Sequence, residues 1–328
     1  MKTFKKWLKR IGIGLALLIG IALIAGIIYE QYGRSKIRKY EETRTGKMID
    51  VGGHSLYCYA KGEGGPTVVF EPGFPGTHLN WIYGDAFKEL SEHTTVVAYN
   101  RAGQLWSERG ENEKSAENIS MELHQMLENG GFEKPYILIG HSIAGIYLRP
   151  FAHDYPEDIL GIILLDPSHP NQMVDCPEEL QGILKPPFIP TEWMLDVGNN
   201  IGLLRFLSGD DWLFYSIQSG GIYDELMYMV SFFDKESTLP SFGDVPLLVI
   251  SAGSEEGIKN YVEDEDLAKK MLEYWNGLQQ DVANSSSKGR RIISKNSSHN
   301  DIMRVEKDLI VAEALALIQP EDSLRSHE

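Results

Sequence analysis

The sequence predicts an α/β protein with a mostly parallel sheet, helices on both faces, and one N-terminal transmembrane helix before the folded domain. Short β-branched apolar runs recur along the chain, and helix-like segments lie between several of them. Residues 167–244 carry no strand signal but are rich in aromatic residues and methionines. This interval predicts a helical cap inserted between two strands of the sheet.

The N-terminal helix is predicted from residues 11–29, which carry no charged side chain. At about 1.5 Å per residue they would span roughly 28 Å, close to the apolar thickness of a bilayer. The stretch is too long for the apolar part of a signal peptide, and no clear small-x-small cleavage site follows. We therefore expect a membrane anchor at 1–34, a juxtamembrane linker at 35–45 and the folded domain at 46–328. A slight basic bias before the span favours a cytoplasmic N-terminus and an extracytoplasmic domain.

Charge and cysteine content exclude several classes of partner. Residues 1–39 carry nine basic side chains and one acidic one in a chain of formal charge −16, which leaves about −24 on the rest. A domain this acidic repels nucleic acid and anionic lipid headgroups, so we expect neither as a substrate or docking surface. Cys58 and Cys176 are too few for a disulfide scaffold or a Cys-rich metal site, and pairing between them is left open.

The elements of the folded domain follow in order from Gly46. A glycine pair at 52–53 predicts a hairpin between strands 47–51 and 55–60. The other predicted strands are 67–70, 94–99, 136–140, 160–165, 246–251 and 290–294. The predicted helices outside the cap are 81–91, 116–129, 143–153, 267–281 and 305–318.

A serine follows the predicted strand 136–140 in the segment Gly-His-Ser-Ile-Ala-Gly, residues 140–145. A sharp turn from strand to helix lifts the side chain of Ser142 clear of both elements, and such a turn tolerates only small neighbours. The pattern by itself would arise by chance roughly once in five chains of this size. Its meaning therefore depends on the motifs around it.

Five further motifs accompany the serine turn in a fixed order. They are Phe-Glu-Pro-Gly-Phe-Pro-Gly at 70–76, Ala-Tyr-Asn-Arg-Ala-Gly at 98–103, Leu-Leu-Asp-Pro-Ser-His-Pro at 164–170, Val-Pro-Leu-Leu-Val-Ile-Ser-Ala-Gly at 245–253, and Ser-His at 298–299. Together they resemble the α/β-hydrolase family from about Gly46 to the last helix. The resemblance implies a serine nucleophile in acyl transfer without a cofactor.

The resemblance also indicates a base and an acid for Ser142, whose hydroxyl is a poor nucleophile unless a base takes its proton. His299 lies between the last predicted strand and the terminal helix, where the family places its base. An acid is needed to fix the tautomer of that base. Asp166, at the end of the strand after the serine turn, is favoured; Glu256 or Glu255, in the commonest family position, is the alternative.

Two backbone amides are expected to bind the oxyanion of the tetrahedral intermediate. Ile143 directly follows the nucleophile, and Phe74 lies in the loop after strand 67–70. The family often begins that loop with His-Gly, whereas this chain has Glu-Pro-Gly at 71–73, which leaves only the amide role intact. Asn100 replaces an aspartate that is common before Arg-x-Gly, which suggests a structural position.

The sequence therefore predicts a membrane-anchored serine hydrolase that cleaves an ester, or an amide or thioester, through an acyl-enzyme intermediate. No metal-binding or nucleotide-binding motif is present, so no metal or cofactor is expected. The cap predicts a small-molecule substrate with an apolar moiety. Its aromatic residues and methionines include Trp193, Met194, Phe206, Trp212, Phe214, Tyr215, Met227, Tyr228, Phe232 and Phe233. The alternatives are a surface-displayed binding protein without chemistry and a proline-directed aminopeptidase, for which no acidic group could be assigned to bind the substrate amine.

Overall fold

The computed structural model describes residues 2–42, 45–82, 84–185, 188–209, 219–259 and 262–319. Trp212, Phe214 and Tyr215 of the predicted cap lie outside the described residues. All eight predicted strands are present within two residues at each end. They are β1 (Lys47–Asp50), β2 (Ser55–Lys61), β3 (Thr67–Glu71), β4 (Val96–Tyr99), β5 (Tyr136–His141), β6 (Ile159–Leu165), β7 (Leu247–Ala252) and β8 (Gly289–Ser294).

The strands form one eight-stranded sheet in the order β1-β2-β4-β3-β5-β6-β7-β8. The pairs β1–β2 and β2–β4 are antiparallel, and every pair from β4 to β8 is parallel. Strands β3, β4 and β5 are buried along their whole length, as expected of strands covered on both faces. The predicted mostly parallel sheet is confirmed.

Thirteen helices accompany the sheet in the described part of the chain. They are α1 (Lys2–Glu42), α2 (Leu79–Ile82), α3 (Asp85–Leu90), α4 (Ala116–Asn129), α5 (Ala144–Asp154), α6 (Glu178–Leu184), α7 (Glu192–Asn200), α8 (Leu203–Ser208), α9 (Ser219–Phe233), α10 (Glu255–Lys259), α11 (Glu265–Asn284), α12 (Ile302–Val305) and α13 (Lys307–Ile318). One buried cluster joins the sheet to α4, α5 and α11. A second joins its other face to α2, α3 and α13.

Two predicted helices are each divided in the structure. The prediction of one helix at 81–91 is wrong at its start, because Gly84 is extended, at φ −82° and ψ 144°, and α3 begins after it. The predicted helix 305–318 is preceded by the short α12, and the two meet at Glu306, whose φ of −96° and ψ of 22° lie outside the helical range. The helix at 116–129 has the predicted bounds, because Ser115 accepts a hydrogen bond from the Asn118 amide at its start.

Helix α1 is long and apolar enough from Phe4 to Lys39 to cross a membrane, and the most apolar part of it is not buried against the domain. The segment 35–42, predicted as a linker, continues the helix because it contains no glycine or proline to end it. Among the described residues, α1 contacts the domain through its C-terminal half, on the face that carries Gly26, Glu30, Gly33 and Ile37. This spacing of three and four residues places these positions on one side of the helix.

Four described helices, α6 to α9, lie between β6 and β7, in the interval predicted as the cap. Side chains of α9, among them Phe233, pack against Ile143 and Tyr147 of the serine turn and α5. Helices α7 and α8 instead leave large apolar side chains exposed. The cap therefore has an inner helix over the candidate site and an outer apolar surface.

Candidate active site

Ser142 lies between β5 and α5 with a φ of 56°, in the left-handed region that non-glycine residues rarely adopt. Its amide donates a hydrogen bond to Leu165 O over 3.1 Å, which ties the turn to the neighbouring strand. A Cβ placed on Gly145 would lie 2.6 Å from the Pro167 Cβ, so this position has no room for a side chain. These contacts hold the strained turn that presents the hydroxyl.

The structure brings Ser142, His299 and Asp166 together at the carboxyl ends of parallel strands. His299 Nε2 lies 3.1 Å from Ser142 Oγ, and His299 Nδ1 lies 2.6 Å from Asp166 Oδ2. Because a carboxylate only accepts hydrogen bonds, Nδ1 carries the proton and Nε2 presents its lone pair to the serine hydroxyl. The imidazole therefore has the tautomer that a general base requires.

Asp166 is buried at the end of β6 and is held through both carboxylate oxygens. While Oδ2 faces His299, Oδ1 accepts hydrogen bonds from Ala252 N over 3.0 Å and from Trp275 Nε1 over 2.9 Å. Two donors on one oxygen fix the orientation of the carboxylate. The strands bring these groups together because β6 pairs with β7 and β7 pairs with β8, which precedes His299.

The alternative acids lie elsewhere. Glu255 and Glu256 are in the first turn of α10, and both are exposed. In the part of the chain that the structure describes, neither makes a hydrogen bond or ion pair with His299. Of the three acidic residues that the sequence left open, the structure places only Asp166 against the imidazole.

The loop that carries Phe74 passes directly beside the serine. A Cβ placed on Gly73 would lie 3.4 Å from Ser142 Cβ, and 2.8 Å from His141 Nδ1. Ile143 stands at the N-cap of α5, next to the serine. Among the described residues, neither the Phe74 amide nor the Ile143 amide donates a hydrogen bond to another protein group. Both predicted oxyanion donors therefore lie close to the nucleophile with no protein acceptor of their own.

Comparisons with known proteins agree with this architecture. A family model described as the alpha/beta hydrolase fold matches residues 66–198. The structure of epoxide hydrolase CorEH aligns with a TM-score of 0.61 at 17% sequence identity, over 84% of this chain and 99% of that one. The chain has the α/β-hydrolase fold. A thermophilic esterase from Thermogutta terrifontis gives a TM-score of 0.56 at 16% identity, over 86% of the chain described here and 99% of the esterase.

A relative in sequence is protein YbdG of Bacillus subtilis (strain 168), which is 29% identical over 178 residues. The match covers 53% of this chain and 53% of YbdG, so the chain spans about half the length of that relative. The fold implied by the motifs is thus confirmed. Because α/β-hydrolase folds carry both esterases and epoxide hydrolases, the activity has to be argued from the side chains of the site.

A buried ion-pair network supports the loop that carries Phe74. Arg101 donates hydrogen bonds to Pro72 O over 2.7 Å and to Gly73 O over 2.8 Å, the carbonyls just before Phe74. Its guanidinium also pairs with Glu71 and with Glu225 of α9, each at 2.7 Å. Arg101 thus joins the loop to the inner helix of the cap. Burial raises the pKa of Glu71, although the charge of Arg101 opposes that shift.

His141 holds the backbone of the loop that carries His299. Its Nε2 lies 2.8 Å from the carbonyl oxygen of His299, which can only accept, so Nε2 is the protonated nitrogen. Burial and the neighbouring His299 lower the pKa of His141 to about 4. His141 is therefore neutral near pH 7 and keeps its second nitrogen unprotonated.

Three contacts at the site escaped the sequence analysis: the indole of Trp275, the carboxylate of Glu225, and the bond from His141 to the His299 carbonyl. Glu71 is the last residue of β3 and Arg101 follows β4 by two residues, so charged residues at the ends of fully buried strands are the signal that could have indicated this ion pair. Trp275 gave no such signal, since it is one of several apolar residues on α11.

A cavity of about 400 Å³ opens beside Asp166 and His299. It lies between α6 and the helices α10 and α11, and Ile183, Leu184 and Met271 supply part of its apolar wall. The cavity has the volume of a small-molecule site.

Cys58 and Cys176 are both free and buried, so they do not form a disulfide with each other.

One group of possible metal ligands occurs among the described residues: His124, Glu128 and Asp158, with ligand atoms within 4.8 Å of one another. Lys134 Nζ lies 2.8 Å from both carboxylates. The Lys134 ammonium group already supplies the positive charge that a metal ion would bring. These three possible ligands lie apart from the candidate site.

Proposed function

We propose that the protein is a serine hydrolase that cleaves carboxylic esters through an acyl-enzyme intermediate. The observation that carries the proposal is the position of His299, whose two ring nitrogens face Asp166 Oδ2 at 2.6 Å and Ser142 Oγ at 3.1 Å. A hydroxyl, a neutral base and an oriented carboxylate in this geometry generate a nucleophile for carbonyl carbon.

The reaction follows from the positions of these groups. Ser142 Oγ attacks the ester carbonyl while its proton passes to His299 Nε2, and Asp166 stabilises the imidazolium. The oxyanion is held by the amides of Phe74 and Ile143. Collapse of the intermediate releases the alcohol, which takes the proton from His299. Water, deprotonated by the same imidazole, then hydrolyses the acyl-serine and regenerates the free hydroxyl.

The side chain at the nucleophile position separates this proposal from the epoxide hydrolases that share the fold. Opening of an epoxide on this fold proceeds through a carboxylate nucleophile, and here the position is Ser142. The apolar cavity beside His299 favours esters with a hydrocarbon acyl or alcohol part. The apolar helix α1 supports a membrane-anchored enzyme. The slight excess of basic residues before the span favours a domain outside the cytoplasm.

A fluorophosphonate probe tests the proposal on the full-length protein in detergent micelles. We expect stoichiometric covalent labelling and hydrolysis of short p-nitrophenyl esters, both abolished in Ser142→Ala. The matched control is Ser287→Ala, an exposed serine in the loop before β8, which should label like the wild type. Folded wild-type protein that neither labels nor hydrolyses any ester would contradict the proposal and favour a binding protein on the same fold.

A further inference from the structure

We propose that the outer surface of the cap docks on the bilayer that α1 spans, an inference that rests on the membrane anchor of the proposed function. The surface consists of apolar side chains on α7 and α8 and is called the cap face below. Its members are Trp193, Val197, Leu203, Phe206 and Leu207.

The cap face is unusually exposed for side chains of its kind. Trp193 is 71% exposed, Phe206 is 78% exposed and Leu207 is 68% exposed. Scattered exposed apolar residues are normal, but several large ones on two successive helices that pack against each other indicate a partner surface. Aromatic residues in such groups are characteristic of membrane interfaces.

The cap face lies beside α1, because the two helices that carry it, α7 and α8, also pack against α1. Arg205 of α8 is buried and donates a hydrogen bond to the Tyr29 carbonyl oxygen over 2.5 Å. The Arg205 guanidinium carbon also lies 3.9 Å from the centre of the Tyr29 ring. Phe206 and Leu207 follow Arg205 directly, so they stand at the level of Tyr29 along the anchor.

A second contact fixes the depth of the cap. A Cβ on Gly26 would lie 2.2 Å from Ile201 O, and one on Gly202 would lie 2.6 Å from Gly26 O, so two backbones meet here without side chains between them. Gly26 precedes Tyr29, the end of the uncharged stretch, by three residues, or about 4.5 Å along the helix axis. With this stretch in the bilayer, the turn between α7 and α8 lies at the boundary of the apolar layer.

The chemistry of the cap face identifies a bilayer as the occupant. Residues 40–328 carry a charge of about −24, so attraction to anionic headgroups does not hold the cap face at the membrane. Burial of its apolar side chains in the membrane interface holds the cap face there instead, as it does for interfacial helices generally. We therefore expect docking on zwitterionic lipid that persists at high salt.

Fluorescence of single labels on the full chain in phosphatidylcholine vesicles tests the docking. An environment-sensitive dye is attached through Phe206→Cys on the cap face, through Ile19→Cys within α1, and through Met121→Cys, an exposed position on α4 of the domain. The native cysteines are buried, and burial raises the pKa of Cys58 to about 12, so labelling of the unmodified protein is the background control. Nitroxides on the lipid acyl chains quench dyes that enter the bilayer.

We expect the dye at 206 to be blue-shifted and quenched at least threefold more by a shallow nitroxide than the dye at 121, with no change in 1 M NaCl. Quenching at 19 without quenching at 206 would overturn the docking and leave the anchor in place. No quenching at 19 would refute the anchor and the docking with it. A blue shift at 206 without lipid quenching, or one lost in salt, would show contact with a second copy or with charge, and would also overturn the proposal.

Discussion

Replacement of Asp166 by asparagine should invert the tautomer of His299. Asp166 Oδ1 accepts from two N–H groups, Ala252 N and Trp275 Nε1, so the asparagine oxygen must stay at that position. Its NH₂ group then faces His299 Nδ1 at the 2.6 Å contact, and because NH₂ only donates, Nδ1 becomes the acceptor. The ring proton moves to Nε2, which faces Ser142. A ring nitrogen that already carries a proton cannot accept the proton of the Ser142 hydroxyl.

The expected loss follows from that inversion. The same tautomer error lowers kcat about 10⁴-fold in serine proteases, which corresponds to about 5.5 kcal/mol of activation free energy. The assay is kcat for a p-nitrophenyl ester at pH 8, with circular dichroism to verify folding. Glu256→Gln and Glu255→Gln, which remove exposed carboxylates, should stay within twofold of the wild type. If Asp166→Asn retains more than a tenth of the wild-type kcat, the assignment of the acid is wrong.

Two further predictions concern stability. Arg101→Met leaves the buried carboxylates of Glu71 and Glu225 without their shared cation, so unfolding in urea should show a loss of about 3–5 kcal/mol. His141, whose pKa is lowered in the folded state to about 4, stabilises the fold above its unfolded pKa of about 6.5, and that stability is lost as pH falls from 6.5 to 4. Between pH 7 and pH 5 the wild type should therefore lose about 2 kcal/mol more than His141→Gln, measured by urea unfolding at both pH values.

Each of these predictions has its own control. Arg109 pairs with Asp224 on the same cap helix but is 46% exposed, so Arg109→Met should cost less than about 1 kcal/mol. Equal losses of unfolding free energy in Arg101→Met and Arg109→Met would show that burial does not determine how strongly the Arg101 ion pairs stabilise the fold. A glutamine at 141 retains an amide that can donate to the His299 carbonyl, so a pH dependence identical to the wild type would exclude titration of His141 as the cause.

The sequence predicted those parts of the structure that depend on residues close together in the chain. The β-branched runs predict strands whether or not their partners are known, and Ser142 lies at a turn that needs small neighbours next to it in the chain. The choice between Asp166 and Glu256 was not local, because it depends on which strand end and loop lie beside His299. Trp275 meets Asp166 across 109 positions, and Arg101 meets Glu225 across 124. No periodicity or motif encodes such contacts, which arise only when the sheet and cap assemble.

The guanidinium of Arg101 links the position of the cap to the loop that carries Phe74. The guanidinium of Arg101 contacts both the carbonyls that precede Phe74 and the carboxylate of Glu225 in the cap. Separation of the cap from the loop would break this buried ion pair and remove a hydrogen-bond donor from the two carbonyls that precede Phe74. If the Phe74 amide binds the oxyanion as proposed, movement of the cap and loss of that amide's support would occur together.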